Sequence, residues 1–248
     1  MSAHVHAPLR IAMWSGPRNI STAMMRAWEN RGDCAVSDEP LYAAYLAATG
    51  LEHPDRELVI AAGETNPQRV VESLLGPVPG SKPVWYQKHM SHHILPEMPR
   101  DWILGLHNIL LIRDPDEVVA SYVKSRSDIA PEDIGVLQQA SLFDVITTAT
   151  GQPPPVIDAG DFLRAPENYL RWLCSWLGID FTDRMLRWPP GRRASDGVWA
   201  PYWYAAVEAS TGFEPWRARD CRLTDDSARV AAAVRPAYRR LFEYRLRF

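Results

Sequence analysis

Cysteine is scarce in this chain. The three present, Cys34, Cys174 and Cys221, are odd in number and far apart. That pattern provides neither a disulfide framework nor a zinc cluster and suits a reducing compartment. Long apolar runs are missing too. No window of about 18 residues lacks a charge, which excludes a transmembrane helix. The stretch from Met1 to Arg10 has no apolar run of signal-peptide length. A soluble, cytoplasmic protein with no membrane partner is therefore expected. An excess of positive charge is also absent: Lys+Arg 27 against Asp+Glu 30 gives a formal net charge of −3. A dedicated nucleic-acid binder usually shows a basic surplus, so no nucleic-acid partner is expected. Nine arginines against four acids in residues 217–248 read as the solvated face of a last helix. Gly/Ser linkers, internal repeats and low-complexity tracts are lacking, so residues 1–248 read as one domain with residues 1–8 a disordered N-terminus. What is present, 46% hydrophobic residues over 248, fills a sizeable core and excludes disorder, collagen and coiled coil as the dominant state.

The apolar run Leu9–Trp14 reads as a buried parallel strand. It feeds the turn-forming stretch Ser15-Gly16-Pro17-Arg18-Asn19 and then a helix over Ser21–Asn30, with Ala23, Met24, Ala27 and Trp28 on one face. Ala35–Ser37 reads as a second strand. Asn66-Pro67 opens a helix that Gly76 closes. Val84–Gln87 reads as a strand followed by a polar segment, Lys88–Pro96. Asn108–Ile112 is the clearest buried strand; Asp114 after it predicts a cap and Glu117 a capping box, on a helix running to about Arg126. Val156–Asp158 adds one more strand, and from Pro166 onward the pattern is mostly helical. Strands alternating with helices imply a three-layer α/β domain around a central parallel sheet, with a mostly helical C-terminal part.

The first strand–loop–helix suits an anion. A loop ending at a helix N-terminus presents free N–H groups and the positive end of the helix dipole. Arg18 adds a fixed charge, and Ser21 and Thr22 add hydroxyls. The Gly-Lys-Ser/Thr ending of nucleotide hydrolases is missing, so ATP or GTP hydrolysis is not supported. In the second strand–loop–helix, Arg113 sits at the carboxyl end of its strand, where open α/β sheets bind ligands, and Ser121 lies two turns into the next helix. The bland reading pairs Arg113 with Asp114 or Asp116.

Taken together, these segments resemble a known family. Pro17-Arg18-Asn19-Ile20-Ser21-Thr22 resembles the loop by which sulfotransferases hold the 5′-phosphosulfate of 3′-phosphoadenosine 5′-phosphosulfate (PAPS). The segment Arg113 to Ser121 resembles the one whose Arg and Ser bind the 3′-phosphate. Lys88-His89 followed by Ile94-Leu95-Pro96 is similar to the stretch carrying the catalytic His, and Gly191-Arg192-Arg193 to the late loop over the 3′-phosphate. The resemblance spans residues 14 to about 199 and implies a P-loop-type fold. It also implies PAPS as donor, a small-molecule acceptor and no metal. Arg18, Asn19, Ser21, Thr22, Arg113, Ser121, Arg192 and Arg193 would bind the donor. Arg18 and Lys88 would stabilise charge on the leaving phosphate.

Two positions depart from the pattern. Ile20 stands where Gly is usual and resists positive φ, and Ala23 stands where many relatives place an adenine-stacking Trp. The base is ranked His89 first and Glu39, in Asp38-Glu39-Pro40, second, with His92 and His93 also eligible. A metal held by the three histidines is disfavoured, because no Cys or carboxylate follows at ligand spacing. The aromatic segment Trp199–Tyr204 reads either as acceptor pocket or as the buried face of a helix. A P-loop kinase and a non-catalytic nucleotide-binding protein are the competing functions.

Overall fold

The computed structural model describes residues 7–248 apart from Ser125, Ser127 and Arg219. The first six residues of the expected disordered N-terminus lie outside the described residues. Five strands alternate with helices in chain order. The strands are β1 (Leu9–Ser15), β2 (Cys34–Asp38), β3 (Val84–Met90), β4 (His107–Ile112) and β5 (Val156–Asp158). The helices are α1 (Ser21–Asn30), α2 (Tyr42–Thr49), α3 (Arg56–Ala62), α4 (Pro67–Leu75), α5 (Pro115–Tyr122), α6 (Val136–Thr150), α7 (Ala159–Arg164), α8 (Pro166–Trp176), α9 (Ala200–Trp203), α10 (Ala205–Glu208) and α11 (Asp225–Glu243).

All strand pairs are parallel, in the order β2-β3-β1-β4-β5. Both faces are covered, as a parallel sheet of near-continuous apolar strands requires. Alternate residues of β1 divide the core: Ile11 and Met13 join α1 and α8 (Met24, Trp28, Leu170, Leu173), while Ala12 and Trp14 join α5, α6 and α11 (Val118, Leu142, Val234). Each large apolar side chain so buried contributes roughly 1.5–3 kcal/mol. A third cluster, Tyr42, Tyr45, Leu46 and Val59 with Trp199 and Tyr204, packs α2 and α3 against α9 near the carboxyl ends of the strands. No helix among the described residues is long and apolar enough to cross a membrane.

Two local expectations change. β3 runs on through Lys88 and His89 to Met90, because the ladder to β1 continues through Met13↔Lys88 and Trp14↔His89. The cap of α5 is Asp114, which accepts from Asp116 N–H, but Glu117 makes no capping box. Its carboxylate is drawn instead to Arg113, and the helix ends at Tyr122. α4 starts as expected, with Asn66 accepting from the N–H groups of Gln68 and Arg69 ahead of Pro67.

Candidate active site

A cavity of about 320 Å³ opens at the carboxyl ends of the strands. Its floor is the turn between β1 and α1. Gly16 is required there, because a Cβ would lie 2.3 Å from the carbonyl oxygen of Ile134. The backbone then turns left-handed at Arg18, with φ 54°. Ile20 has φ −85°, so the expected steric objection to a side chain at that position does not arise. Asn19 ties the turn down: its Nδ2 donates to the Leu111 carbonyl at 3.0 Å, and its Oδ1 accepts from Ile20 N–H at 2.8 Å. No side chain caps α1 and no acid stands in its first turn. Ser21 and Thr22 line the cavity beside those N–H groups, so the helix dipole faces it unopposed.

Arg113 and Ser121 border the same floor. Arg113 donates Nε and Nη2 to one Glu117 oxygen, at 2.9 and 2.6 Å, and Nη1 to the Arg18 carbonyl at 2.5 Å. Ser121 Oγ accepts from Arg18 Nε at 3.0 Å. The guanidinium of Arg113 thus braces the left-handed turn with one N–H group and pairs with Glu117 through two more, three of its five in all. The neighbours suspected of neutralising it are occupied elsewhere: Arg235 reaches Asp114 at 3.2 Å and Asp116 at 2.6 Å.

Arg192 and Arg193 do not line the cavity. Arg192 is more than half exposed and lies 3.7 Å from Glu208, and Arg193 donates to the Pro189 carbonyl at 3.0 Å. Their loop is drawn toward α1 by a buried ion pair, in which Arg26 Nη2 donates to Asp196 Oδ2 at 2.7 Å. The rim on this side is formed by Leu163, Ser210, Phe213 and Glu214, next to Ala23. Nothing in the one-dimensional pattern brought these residues to the cavity.

The strand extension separates the base candidates in space. Side chains alternate along β3, so consecutive residues lie on opposite faces of the sheet. His89 lies on the Trp14 side. It stacks on that indole at 4.2 Å between centroids and 24° between planes, and its Nε2 lies 3.2 Å from Gln87 Oε1. It is 1% exposed and does not line the cavity, so the residue ranked first as base lies away from it. Burial also lowers its pKa to about 3.

Lys88, on the other face, reaches the cavity. Its Nζ donates to Asp38 at 2.8 Å, Glu39 at 2.7 Å and the Tyr204 hydroxyl at 2.5 Å. Tyr204 in turn donates to Asp38 at 2.7 Å. Lys88 stays charged: burial opposes the charge, but two carboxylates hold its pKa well above the ordinary lysine value. In this network the three N–H groups of Lys88 Nζ are directed to Asp38, Glu39 and Tyr204. Glu39 follows β2 with φ 43° and lines the cavity. Burial raises its pKa despite Lys88, whose charge is shared with Asp38. His92 and His93, on the short turn after β3, also line the cavity, with pKa values pushed down by burial. Among the described residues, no group of three or more His, Cys, Asp or Glu could hold a metal ion.

Trp199–Tyr204 is partly buried and partly in the cavity wall. Trp199 and Tyr204 are buried against α2, while Trp203 and Tyr204 form one wall of the cavity. The Arg18 guanidinium lies 5.9 Å from the Trp203 ring centroid. The roles of Asp38 and Tyr204 were not legible beforehand, although Asp38, next to Glu39 at the end of a predicted strand, was the available signal.

Comparison with known proteins places this geometry in a family. Branched-chain-amino-acid aminotransferase-like protein 1 of Arabidopsis thaliana is 39% identical over 206 residues, 83% of this chain. Its counterpart, protein 2, is 36% identical over 203 residues, 82% of this chain. The alignments take in only 37% and 36% of those relatives, so this chain corresponds to a little over a third of their length. Two solved structures share the fold at a TM-score of 0.55 with 98% of each chain covered. They are the sulfotransferase domain of the Synechococcus PCC 7002 olefin synthase, 17% identical, and a sulfotransferase from Alicyclobacillus acidocaldarius, 11% identical. The family model described as a sulfotransferase domain matches residues 9–241, nearly the whole chain, and the protein belongs to that sulfotransferase family.

Proposed function

We propose that this protein transfers a sulfuryl group from PAPS to a hydroxyl, less readily an amine, of a small-molecule acceptor, with Glu39 as the base. One observation carries the reading. A single cavity has an uncapped helix N-terminus with Arg18 and Arg113 on its floor, and a buried carboxylate held by a lysine in its wall. The first suits a nucleotide bearing two phosphate groups, and the second suits removal of a proton from an acceptor. The cavity volume falls in the usual range for small-ligand sites.

In this reading the first-turn N–H groups of α1, Ser21, Thr22 and Arg18 hold the 5′-phosphosulfate, and Arg113 meets the 3′-phosphate. Ser121 fixes Arg18 in place. Phe213 and Leu163, beside Ala23, supply the apolar surface for the base. Glu39 takes the hydroxyl proton as the acceptor oxygen attacks sulfur. The bond from sulfur to the bridging oxygen breaks in line, and its electron pair leaves on 3′-phosphoadenosine 5′-phosphate (PAP). Arg18 and the α1 dipole stabilise that developing charge. Lys88, Asp38 and Tyr204 hold the Glu39 carboxylate in place. The setting is a reducing cytoplasm, consistent with the free thiols of Cys34, Cys174 and Cys221.

Isothermal titration with PAP, AMP and ATP–magnesium tests this. PAP should bind about ten- to a hundred-fold more tightly than AMP, as a charge-assisted contact to the second phosphate implies. Preference for ATP–magnesium would indicate a kinase and overturn the reading.

A further inference from the structure

The part of the cavity beyond Glu39 is lined by Tyr42, His53, Met90, His92, His93 and Tyr122. Its polar groups are of two kinds. Some are already engaged: the Tyr42 hydroxyl lies 2.7 Å from His53 Nδ1, and Arg126, near His53 Nε2 at 3.5 Å, is neutralised by Asp133 at 3.5 Å. The others are the imidazoles of His92 and His93, 7% and 1% exposed. Their Nδ1 atoms are buried without a hydrogen-bond partner. The rings are nonetheless fixed by packing. His93 stacks on Tyr42 at 4.7 Å and 4° and on Tyr45 at 4.7 Å and 28°. His92 stands edge-on to Tyr45 at 5.5 Å and to His93 at 4.5 Å.

The Nε2 atoms make no hydrogen bond among the described residues and are not sealed as the Nδ1 atoms are, so these two rigidly held rings offer the cavity two nitrogens whose hydrogen-bonding capacity only a ligand or solvent can use. With Nδ1 sealed in both rings, Nε2 is the nitrogen available to a ligand, and a neutral imidazole protonated there is a donor. Away from Glu39, at the His92 and His93 end, charge is balanced, with Arg126 on Asp133 and both imidazoles kept neutral by burial. An ionic group entering it would lose hydration with no free counter-charge.

We infer that His92 and His93 form an acceptor subsite for an uncharged molecule with an aromatic or apolar body and two oxygen functions. One is the hydroxyl that is sulfated beside Glu39, and the other a hydroxyl or carbonyl that accepts from the two imidazoles. This rests on the sulfuryl-transfer reading for the direction of chemistry, but the subsite is tested by binding alone.

The test titrates PAP-saturated protein with phenol, 3-hydroxyphenol, 3-hydroxybenzoate and 3-hydroxybenzylammonium. Wild type should bind 3-hydroxyphenol about ten-fold more tightly than the other three, and His92→Phe/His93→Phe should erase that difference. PAP affinity should stay within about two-fold in the double variant, because neither ring borders the phosphate floor. Equal binding of phenol and 3-hydroxyphenol, preference for either ion, or no binding of any of the four overturns the subsite. So does a preference that survives in the double variant. If that variant does not fold, the wild-type ranking decides. Failure of PAP itself to bind overturns the donor-site reading instead, and the ranking is then read on the protein alone.

Discussion

Replacing Arg113 by Ala separates the brace seen in the structure from the 3′-phosphate contact proposed for the same guanidinium. Its Nη1 braces the carbonyl of left-handed Arg18 at 2.5 Å, and two N–H groups are not used by Glu117 or that carbonyl. Loss of the brace exposes the Arg18 carbonyl to the cavity and loosens the 5′ site, at a cost of about 1 kcal/mol. That part should weaken AMP and PAP alike, by a few-fold. Loss of the contact to the 3′-phosphate should weaken PAP alone by a further 1.5–3 kcal/mol or so, about ten- to a hundred-fold. The PAP-to-AMP preference should therefore collapse while AMP binding declines only modestly. Isothermal titration of both nucleotides measures the two parts separately, and far-ultraviolet circular dichroism checks that the sheet is intact. Glu117→Gln should not reproduce the loss: it keeps the guanidinium and removes the carboxylate that competes for it, so the PAP-to-AMP preference should hold or rise. Equal loss for PAP and AMP would mean that Arg113 is only a brace, and the 3′-phosphate assignment would fail.

Other variants test the remaining assignments. Glu39→Gln should lower kcat by about 10²- to 10⁴-fold with PAP affinity within a few-fold, measured by label transfer from PAPS to an accepted phenol. In wild type, kcat/KM should fall as pH drops through the raised Glu39 pKa, so the acid limb lies above the ordinary carboxylate value of 4.5 and is missing in Glu39→Gln. The same raised pKa means that the folded state binds more protons than the unfolded between those two values. Glu39 therefore costs stability as pH rises through that window, and Glu39→Gln should melt at or above wild type at pH 7. His89→Ala should cost about 2–4 kcal/mol in urea denaturation but leave kcat per folded molecule unchanged; the opposite pattern would restore His89 as the base. Arg192→Ala and Arg193→Ala should leave PAP affinity within about two-fold, and a ten-fold loss would return that loop to the site.

The parallel sheet and the gathering of Arg18 and Arg113 at one end of it were legible because each rests on local pattern. Leu9–Ser15 and His107–Ile112 are short apolar runs that only a doubly covered strand accommodates, and each feeds a turn that ends at a helix. Arg18 and Arg113 follow those strands directly, so topology alone brings them to one end of the sheet. The placement of the base candidates turns on strand parity. Ending β3 at Gln87 leaves Lys88 and His89 in a loop, where either could turn to the site. Continuing it to Met90 fixes them on opposite faces, and one residue decides which face a side chain meets. Arg192 and Arg193 lie off the cavity for a different reason. Their position follows from Arg26–Asp196, an ion pair 170 residues apart in sequence, which no local pattern encodes. Asp38 and Tyr204 are joined the same way, across 166 residues.

The backbone itself carries a last consequence. Among the described residues, Arg18, Glu39, Asp55 and Ser81 are the non-glycine residues with positive φ. Two of these four follow the carboxyl ends of β1 and β2 and line the cavity. For a side chain with a Cβ this conformation costs roughly 1–2 kcal/mol, and such strain persists only where neighbours hold it. At Glu39 the holding bonds are on both sides of the residue: its N–H donates to the Lys88 carbonyl at 2.9 Å, and its carbonyl accepts from Tyr42 N–H at 2.9 Å. Removing the carboxylate by Glu39→Ala leaves the Cβ and hence the strain. Glu39→Gly removes both. At ordinary positions glycine is less stable than alanine by roughly 0.5–1 kcal/mol, because the unfolded chain gains freedom. Here the order should reverse, with Glu39→Gly more stable than Glu39→Ala by about 1 kcal/mol in urea titrations of equal m-value. If alanine proves the more stable, the turn at Glu39 is not strained, and the carboxylate is positioned by Lys88 and Tyr204 alone.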